Sequence, residues 1–146
     1  MLQSMDLLAA IEPNLVRSGN QLPVRQVLEG KTVLAFYFSA HWCPPCRQFT
    51  PALAQAYRQS RQPGQGGGVE LIFVSSDRSQ TDMLDYMGES HADWLAVPFG
   101  SPAVQALSSH FGVRGIPALK VVGRDGTIIS AEGRQEVMSL GQYTSL

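Results

Sequence analysis

The sequence predicts an α/β fold in which a central mixed β-sheet is flanked by helices on both faces. Val33–Phe38 and Leu71–Val74 are continuous apolar runs with a helical segment between them. This pattern is typical of parallel strands that are buried on both faces and joined by a right-handed crossover. Further on, Arg124-Asp125-Gly126 separates two more apolar runs, and Asp-Gly at such a position indicates an antiparallel hairpin. The sheet should therefore contain both parallel and antiparallel strands.

The segment before the first buried strand is expected to hold a short helix, Met5–Ile11, and a loose edge segment up to residue 19. The chain has 146 residues, which suits one domain with a core that needs no disulfide support. We expect a single domain over 1–146, with residues 1–29 as its N-terminal extension.

A helix is predicted at roughly 44–61, after the first buried strand. Its buried stripe is formed by apolar residues at helical spacing: Cys46, Phe49, Leu53, Ala56 and Tyr57. Pro51 lies inside this helix and should bend it, since proline removes one backbone hydrogen bond. The proline- and glycine-rich stretch 63–68 indicates a loop.

The second half of the chain continues the alternation. The sequence predicts, in order, a strand Val69–Ser75, a helix that starts at Ser79–Asp82, an apolar connector Trp94–Phe99, a helix at about 102–110, strands at 119–122 and 127–130, and a short helix from Gln135.

The composition excludes several classes of function. Charged residues make up 16% of the chain and the net charge is −1, so nothing predicts binding to nucleic acid or to an acidic membrane surface. No apolar run approaches the roughly 18 residues that span a bilayer. The N-terminus lacks the basic start of a secretory signal, and two cysteines are too few for a secreted disulfide scaffold. We expect a reducing compartment, the cytoplasm or the nucleus.

The only two cysteines of the chain, Cys43 and Cys46, stand together in Trp-Cys-Pro-Pro-Cys. Such a pair is a structural disulfide, part of a metal site, or a redox dithiol. A persistent structural disulfide does not fit a reducing compartment. Zinc needs three or four Cys or His ligands, and His41, His91 and His110 have unsuitable spacings. The pair at a helix start therefore favours redox chemistry over zinc or two inert thiols.

The position of Cys43 suggests how its sulfur is activated. It lies where a strand ends and a helix begins, and a helix N-terminus carries partial positive charge and unpaired N–H groups. Pro44 and Pro45 have no N–H, so the N–H of Cys46 is the expected donor to the Cys43 sulfur. Sites of this kind commonly lower a cysteine pKa to roughly 3.5–7.5. We expect Cys43 to attack a disulfide and Cys46 to resolve the mixed disulfide.

Two neighbours of the dithiol leave alternatives open. Trp42 is either part of the core or a docking surface, since an aromatic side chain beside an exposed thiolate often contacts substrate. His41 is expected at the surface.

Several motifs together resemble the nucleoredoxin and tryparedoxin branch of the thioredoxin-like proteins. They are Ser39–Arg47, the strand end Val74–Asp77, Trp94–Phe99 and Gly115-Ile116-Pro117, and the resemblance extends from about residue 30 to residue 137, closest to nucleoredoxins. The resemblance implies a thioredoxin-like fold.

The resemblance also implies roles for particular residues. Pro117 should be a cis-proline that faces the dithiol, which leaves the backbone of Ile116 free to pair with an extended substrate. Arg134 occupies a position that in tryparedoxins lies near the thiol substrate, although a solvated arginine is an equal alternative. With Trp42, Pro44 and Pro45, these residues form the candidate substrate-binding set.

The chain departs from many thioredoxins at residue 37. Those proteins carry a buried aspartate six residues before the first cysteine, and this chain has Tyr37 there. Tyrosine is usual in the nucleoredoxin-like branch, but the base that deprotonates Cys46 is then unidentified. Solvent, Asp77 and Glu70 are the candidates.

The first predicted function is a thiol-disulfide oxidoreductase that reduces protein or small-molecule disulfides. It needs no metal or organic cofactor, is recycled by an upstream thiol reductant, and is expected to be a monomer. The alternative is a redox-sensitive binding module that regulates signalling proteins with little turnover. A peroxidase is disfavoured, because a paired dithiol at a helix start is suited to disulfide exchange.

Overall fold

The computed structural model of the chain describes residues 7–60 and 68–134. Its helices are α1 (Leu7–Ile11), α2 (Val24–Val27), α3 (Pro44–Ser60), α4 (Gln80–Ser90) and α5 (Pro102–His110). Its strands are β1 (Asn14–Arg17), β2 (Asn20–Pro23), β3 (Val33–Ser39), β4 (Val69–Ser75), β5 (Leu95–Ala96), β6 (Ala118–Gly123) and β7 (Ile128–Ser130).

The strands of the described residues form one mixed sheet in the order β2-β1-β5-β4-β3-β6-β7. The central strands β3, β4 and β5 are parallel to one another. β6 pairs antiparallel with β3, and β7 pairs antiparallel with β6 through the turn that contains Asp125 and Gly126. This arrangement confirms the predicted mixed sheet and the hairpin.

Both faces of the sheet are covered, as the unbroken apolar run of β3 predicts. Alternate side chains of β3 point to opposite faces. Val33, Ala35 and Tyr37 join the core that lies beneath α3 and α4. Leu34, Phe36 and Phe38 join the second core, together with side chains of α1 and α5. All seven residues of β3 are buried, which makes this strand the centre of the molecule.

The segment predicted to be a loose edge is instead an ordered hairpin. β1 and β2 pair antiparallel around Ser18 and Gly19, which both have positive φ values of 51° and 83°. β1 also joins the main sheet, because Val16 pairs with Ala96 of β5. The apolar connector predicted at Trp94–Phe99 therefore contains a short strand, whose two residues are too few to show a periodic pattern.

Other predicted elements agree closely with the structure. Helices α3, α4 and α5 and strands β4 and β6 lie within a few residues of their predicted positions. The predicted start of the first helix at Met5, the loop over 63–67 and the helix from Gln135 lie outside the described residues. No helix in the described ranges combines the length and apolar character that a bilayer crossing requires.

The fold places the two cysteines at the carboxyl end of β3. The chain leaves β3 at Ser39, makes a short turn, and enters α3 at Pro44. Hydrogen bonds fix this turn to the end of β4, since the N–H of Ser76 donates to the Ser39 carbonyl at 2.9 Å. The N–H of His41 donates to Asp77 Oδ1 at 2.7 Å.

Candidate active site

Cys43 and Cys46 are joined by a disulfide, with their Cα atoms 5.2 Å apart. The backbone N–H of Cys46 donates to the Cys43 sulfur at 3.3 Å, which is the contact that the spacing predicts. The helical bond from the Arg47 N–H to the Cys43 carbonyl, at 3.1 Å, holds the same turn. The two sulfurs are therefore positioned by the first turn of α3.

The two cysteines differ in their access to solvent. Cys46 is fully buried and Cys43 is 4% exposed. Ala40 and Ile116 pack against the pair and leave only a narrow opening to Cys43. Cys43 is therefore the more accessible cysteine of the two.

The charges at the start of α3 favour an anion on Cys43. The first turn contains no acidic residue, and Arg47 is exposed beside it. A helix of 17 residues also presents the positive end of its dipole here. These features, with the Cys46 N–H, stabilise a thiolate relative to a thiol.

The loop that faces the dithiol carries a cis peptide bond between Ile116 and Pro117, as the resemblance implies. Pro117 is buried, and the Ile116 carbonyl oxygen lies 3.7 Å from the Cys43 sulfur. The N–H of Ile116 makes no hydrogen bond with any residue in the described ranges. A backbone donor is therefore available next to the reactive sulfur.

Trp42 lies on the surface and does not belong to the core. Its side chain is 47% exposed. The indole Nε1–H donates to the Ser76 carbonyl at 2.9 Å, and the Arg78 guanidinium lies 5.2 Å from the ring centroid. The ring is thus held rigidly beside Cys43 with much of its surface open to solvent.

The remaining predicted substrate residues surround the same opening. Pro44 and Pro45 are exposed on the first turn of α3. Arg134 donates from Nη1 to the Pro117 carbonyl at 3.0 Å and lies 5.7 Å from the Phe49 ring. These contacts are compatible both with an arginine near the substrate and with a solvated arginine. They do show that Arg134 touches the cis-proline loop.

A buried cluster of hydroxyl groups lies beneath the dithiol, and the sequence reasoning missed it. Thr50 Oγ1 donates to the Cys46 carbonyl at 2.8 Å. The phenol oxygens of Tyr37 and Tyr86 each lie 2.6 Å from Thr50 Oγ1, within hydrogen-bonding distance. Ser39 Oγ and the Tyr86 oxygen form a further hydrogen bond at 2.7 Å. The four hydroxyl groups therefore form one connected, buried network.

The cluster does not supply a base for Cys46. Burial, followed by the nearby Tyr86, raises the pKa of Tyr37 far above its ordinary value, so this phenol stays protonated. Glu70 lies at the opposite end of the sheet, where it pairs with Leu34 in the register and with Arg17 through an ion pair at 3.0 Å. Its distance from the site excludes it as the base.

Asp77 lies at the correct end of the sheet but is fully engaged. One carboxylate oxygen accepts from the His41 N–H, and the other accepts from Ser75 Oγ at 2.8 Å. Its visible role is to hold the turn that precedes Trp42. The described residues therefore include no identified base for Cys46, which is itself fully buried.

The histidines are committed to structural contacts. His41 is half-buried, stacks on Tyr86 with ring centroids 5.4 Å apart, and pairs through Nε2 with Glu89 at 2.8 Å. His91 is enclosed by aromatic rings, and its Nδ1 accepts from Trp94 Nε1 at 3.0 Å. Burial, and to a smaller degree His41, lowers the pKa of His91 to about 3, so this ring is neutral. Within residues 7–60 and 68–134, no group of three His, Cys, Asp or Glu side chains is arranged to hold a metal ion.

Comparison with known proteins agrees with this geometry. Residues 30–128 match the family model described as thioredoxin-like. The chain is 46% identical over 114 residues to probable nucleoredoxin 1 of Arabidopsis thaliana, an alignment that covers 78% of this chain and 19% of that protein. It is 42% identical over 113 residues to tryparedoxin of Trypanosoma brucei brucei, covering 76% of this chain and 74% of that one.

A solved structure shows the same fold. The thioredoxin of Wuchereria bancrofti superimposes with a TM-score of 0.82 at 40% identity, covering 92% of this chain and 89% of that chain. The chain spans less than a third of the nucleoredoxins that it matches, but most of the tryparedoxin. With a family match over most of its length and a Cys-Pro-Pro-Cys pair at the start of α3, the chain belongs to the thioredoxin-like family of oxidoreductases, among the relatives of nucleoredoxin and tryparedoxin.

Proposed function

We propose that this protein reduces disulfides of proteins or small molecules through Cys43 and Cys46. The observation that carries the proposal is the contact between the Cys46 N–H and the Cys43 sulfur. It lies at a helix start with no acidic residue in the first turn, so it favours the nucleophilic thiolate. The second sulfur lies one helical turn further into the protein, within bridging distance.

The reaction consists of two exchange steps. The Cys43 thiolate attacks one sulfur of the substrate disulfide, and the other substrate sulfur leaves as a thiolate that takes a proton from solvent. Cys46, after losing its proton, attacks the Cys43 sulfur and expels the second substrate thiolate. The protein is left with the Cys43–Cys46 disulfide and has supplied two electrons. An upstream thiol reductant returns them, and no step uses a metal or an organic cofactor.

The residues around the opening have separate roles in this proposal. The free N–H of Ile116 pairs with an extended substrate backbone beside the buried Pro117. The exposed faces of Trp42, Pro44 and Pro45 contact the substrate from the other side. Arg134 holds the Pro117 carbonyl and thereby fixes the loop that presents Ile116.

The cellular setting of the proposal follows from the reducing chemistry. A dithiol that must be returned to its reduced form by a thiol donor suits the cytoplasm or the nucleus. Disulfide-bearing proteins or small thiols are the proposed partners, and we propose that the domain acts as a monomer.

The roles of the two sulfurs predict different products from two single variants. Cys46→Ser keeps the attacking thiolate but cannot resolve, so it should accumulate a stable mixed disulfide with insulin or glutathione disulfide. The adduct is measured by intact mass before and after treatment with dithiothreitol. Cys43→Ser is the matched control and should form no adduct, since Cys46 is fully buried. Equal trapping by both variants would contradict the assignment.

A second candidate function rests on the exposed, rigidly held Trp42. A large aromatic surface beside a redox pair suits a module that binds signalling proteins in one oxidation state with little turnover. Affinity for a partner protein should then change on reduction, while insulin reduction by the intact protein stays at the uncatalysed rate. Measurable turnover with insulin and a thiol donor favours the reductase.

A further inference from the structure

We infer that the preferred substrates are disulfides flanked by carboxylate groups. The inference rests on the proposed reductase function and adds its substrate class. Four exposed arginines lie on the elements that flank the opening to Cys43: Arg47, Arg78, Arg114 and Arg134. The whole chain carries a net charge of −1, so this concentration of positive charge is local to the site.

The positions of the four arginines follow from the elements that carry them and, for Arg78 and Arg134, from their contacts. Arg47 lies in the first turn of α3, directly after Cys46. Arg78 lies over the Trp42 ring. Arg114 and Arg134 line a concave groove of about 200 Å³ that includes Pro117, the residue next to the carbonyl that faces Cys43. The four charges therefore come from α3, from the segment after β4, from the cis-proline loop and from the segment after β7 that contacts this loop.

These four guanidinium groups make no ion pair with any carboxylate in the described ranges. Arg17 and Arg25, by contrast, do have such partners, since Arg17 pairs with Glu70 and Arg25 pairs with Glu12. A positive charge without a carboxylate partner is available to an anionic ligand.

The acidic side chains near the opening reduce this field only in part. Asp77 accepts two hydrogen bonds from neighbouring protein groups, and Glu89 pairs with His41. Glu132 lines the groove, but Lys120 lies there as well, together with Arg114 and Arg134. The groove therefore carries three basic groups and one acidic group.

The magnitude expected from one of these charges is modest. In water, two unit charges that are about 8 Å apart interact strongly enough to change a reaction rate about twofold. A substrate with two carboxylates, or a contact that is less hydrated, should change the rate about fivefold. Added salt should weaken the effect, because exposed charges are screened over about 10 Å at 0.1 M.

The test compares three small disulfides of similar size: 3,3′-dithiodipropionate, which is a dianion, neutral hydroxyethyl disulfide, and cationic cystamine. Their intrinsic reactivities differ, so the readout is the ratio of kcat/KM in a variant to kcat/KM in the wild type. Arg47→Gln and Arg114→Gln should lower this ratio about twofold to fivefold more for the dianion than for the neutral disulfide. For cystamine the ratio should change in the opposite direction. Any effect on the Cys43 thiolate itself acts on all three substrates and cancels in this comparison.

Arg58→Gln is the matched control, because Arg58 is also exposed on α3 but lies eleven residues further along the helix, about 16 Å from Arg47. It should change all three rates equally.

A second arm uses a peptide disulfide with Glu on both sides of each Cys and its Gln counterpart, which separates an acidic protein segment from a small anionic disulfide. The inference is supported if the arginine substitutions lower kcat/KM more for the acidic substrate than for the neutral one in either arm. It is overturned if the ratio of variant to wild-type kcat/KM is the same for all substrates in both arms. If the wild type does not reduce hydroxyethyl disulfide, the reductase function itself is contradicted. This result is distinguishable from failure of the substrate inference, in which the wild type is active but the arginine variants show no change in selectivity.

Discussion

Thr50 connects the chemistry of the site to the stability of the core. Its hydroxyl donates to the carbonyl of Cys46 and lies 2.6 Å from the phenol oxygens of Tyr37 and Tyr86, all within the buried interior. One oxygen thus connects two phenols that have no access to water. Removing it takes away the shortest hydrogen bond of both phenols, and a buried polar group left without a partner costs about 1–3 kcal/mol.

Thr50→Val should therefore lower the free energy of unfolding by about 2 kcal/mol or more, since valine keeps the shape but not the hydroxyl. Thr50→Ser is the matched control, because it keeps the hydroxyl and loses only a methyl group. Chemical denaturation of the oxidised protein measures both. A serine variant that is less stable than the valine variant would show that packing, and not the hydroxyl, dominates at this position.

At the scale of single residues, the sequence predicts contacts between residues that are close together in the chain and misses contacts between residues that are far apart in it. The contact between Cys43 and Cys46 depends on residues one helical turn apart, so motif and helix geometry were enough to predict it. Ser39, Thr50 and Tyr86 come from β3, α3 and α4. Nothing in their sequence spacing shows that three separate elements bring their hydroxyls together. Tyr37 at the position of the usual aspartate was the one signal that pointed to this region.

The segment that carries Arg134 packs closely on β6, next to the loop at Pro117. A Cβ atom added at Gly133 would lie 2.8 Å from Leu119 Cγ and 3.0 Å from the Leu119 carbonyl oxygen in β6. Only glycine allows this segment to approach β6 so closely. The approach places Arg134 within hydrogen-bonding distance of the Pro117 carbonyl.

Gly133→Ala should lower the free energy of unfolding by about 1–3 kcal/mol, because the methyl group has no space beside Leu119. It should also weaken substrate binding, seen as a raised KM, because Arg134 and the Pro117 loop move apart. Gly88→Ala is the control: it lies in α4 with no atom within 4 Å of the added Cβ. There alanine should stabilise the helix by about 0.5–1 kcal/mol. Equal effects of the two substitutions would contradict the close-packing argument.

Elements with long apolar runs or clear caps were predictable, and short paired elements were not. β3 and β4 are each seven residues long, and α5 is capped by Ser101, whose side chain accepts from the Ala103 N–H. β5 has two residues and exists because it pairs with β4 and with β1. The β1–β2 hairpin has few apolar residues, and its turn at Ser18 and Gly19 gives only a weak signal.

The pH dependence of stability reflects the aromatic interior as a whole. His91 is 8% exposed and lies among the rings of Phe73, Tyr86 and Trp94, where a charged imidazolium is unfavourable. Burial lowers its pKa to about 3 in the folded protein, against an ordinary value of about 6.5. A histidine with a lowered folded pKa contributes stability that is complete above about pH 6.5 and is lost as the pH falls toward about 3.

The free energy of unfolding should therefore fall by about 2 kcal/mol from this group alone between about pH 7.5 and about pH 5. Urea denaturation at several pH values measures the loss. His91→Gln removes the titrating group and should flatten the curve over this window, even if the variant is less stable at every pH. An unchanged slope in the variant would assign the acid sensitivity to other groups.

For the molecule as a whole, the sequence was sufficient to predict the class of fold and the identity of the redox pair. Both follow from strong signals: unbroken apolar strands and a Cys-Pro-Pro-Cys motif at a strand-to-helix junction. The low exposure of Cys43 was not predictable, because it depends on Ile116 packing against the pair from a loop 70 residues away along the chain.

The proposed reductase activity depends most directly on Cys43 being ionised near neutral pH. In Cys46→Ser, Cys43 is the only thiol of the chain, and the backbone N–H at position 46 is retained. The rate of alkylation by iodoacetamide as a function of pH then gives the pKa of this one sulfur. The structure predicts a pKa well below the ordinary cysteine value of about 8.5, with rapid alkylation at neutral pH. A pKa at or above about 8.5 would contradict the proposed activation by the start of α3.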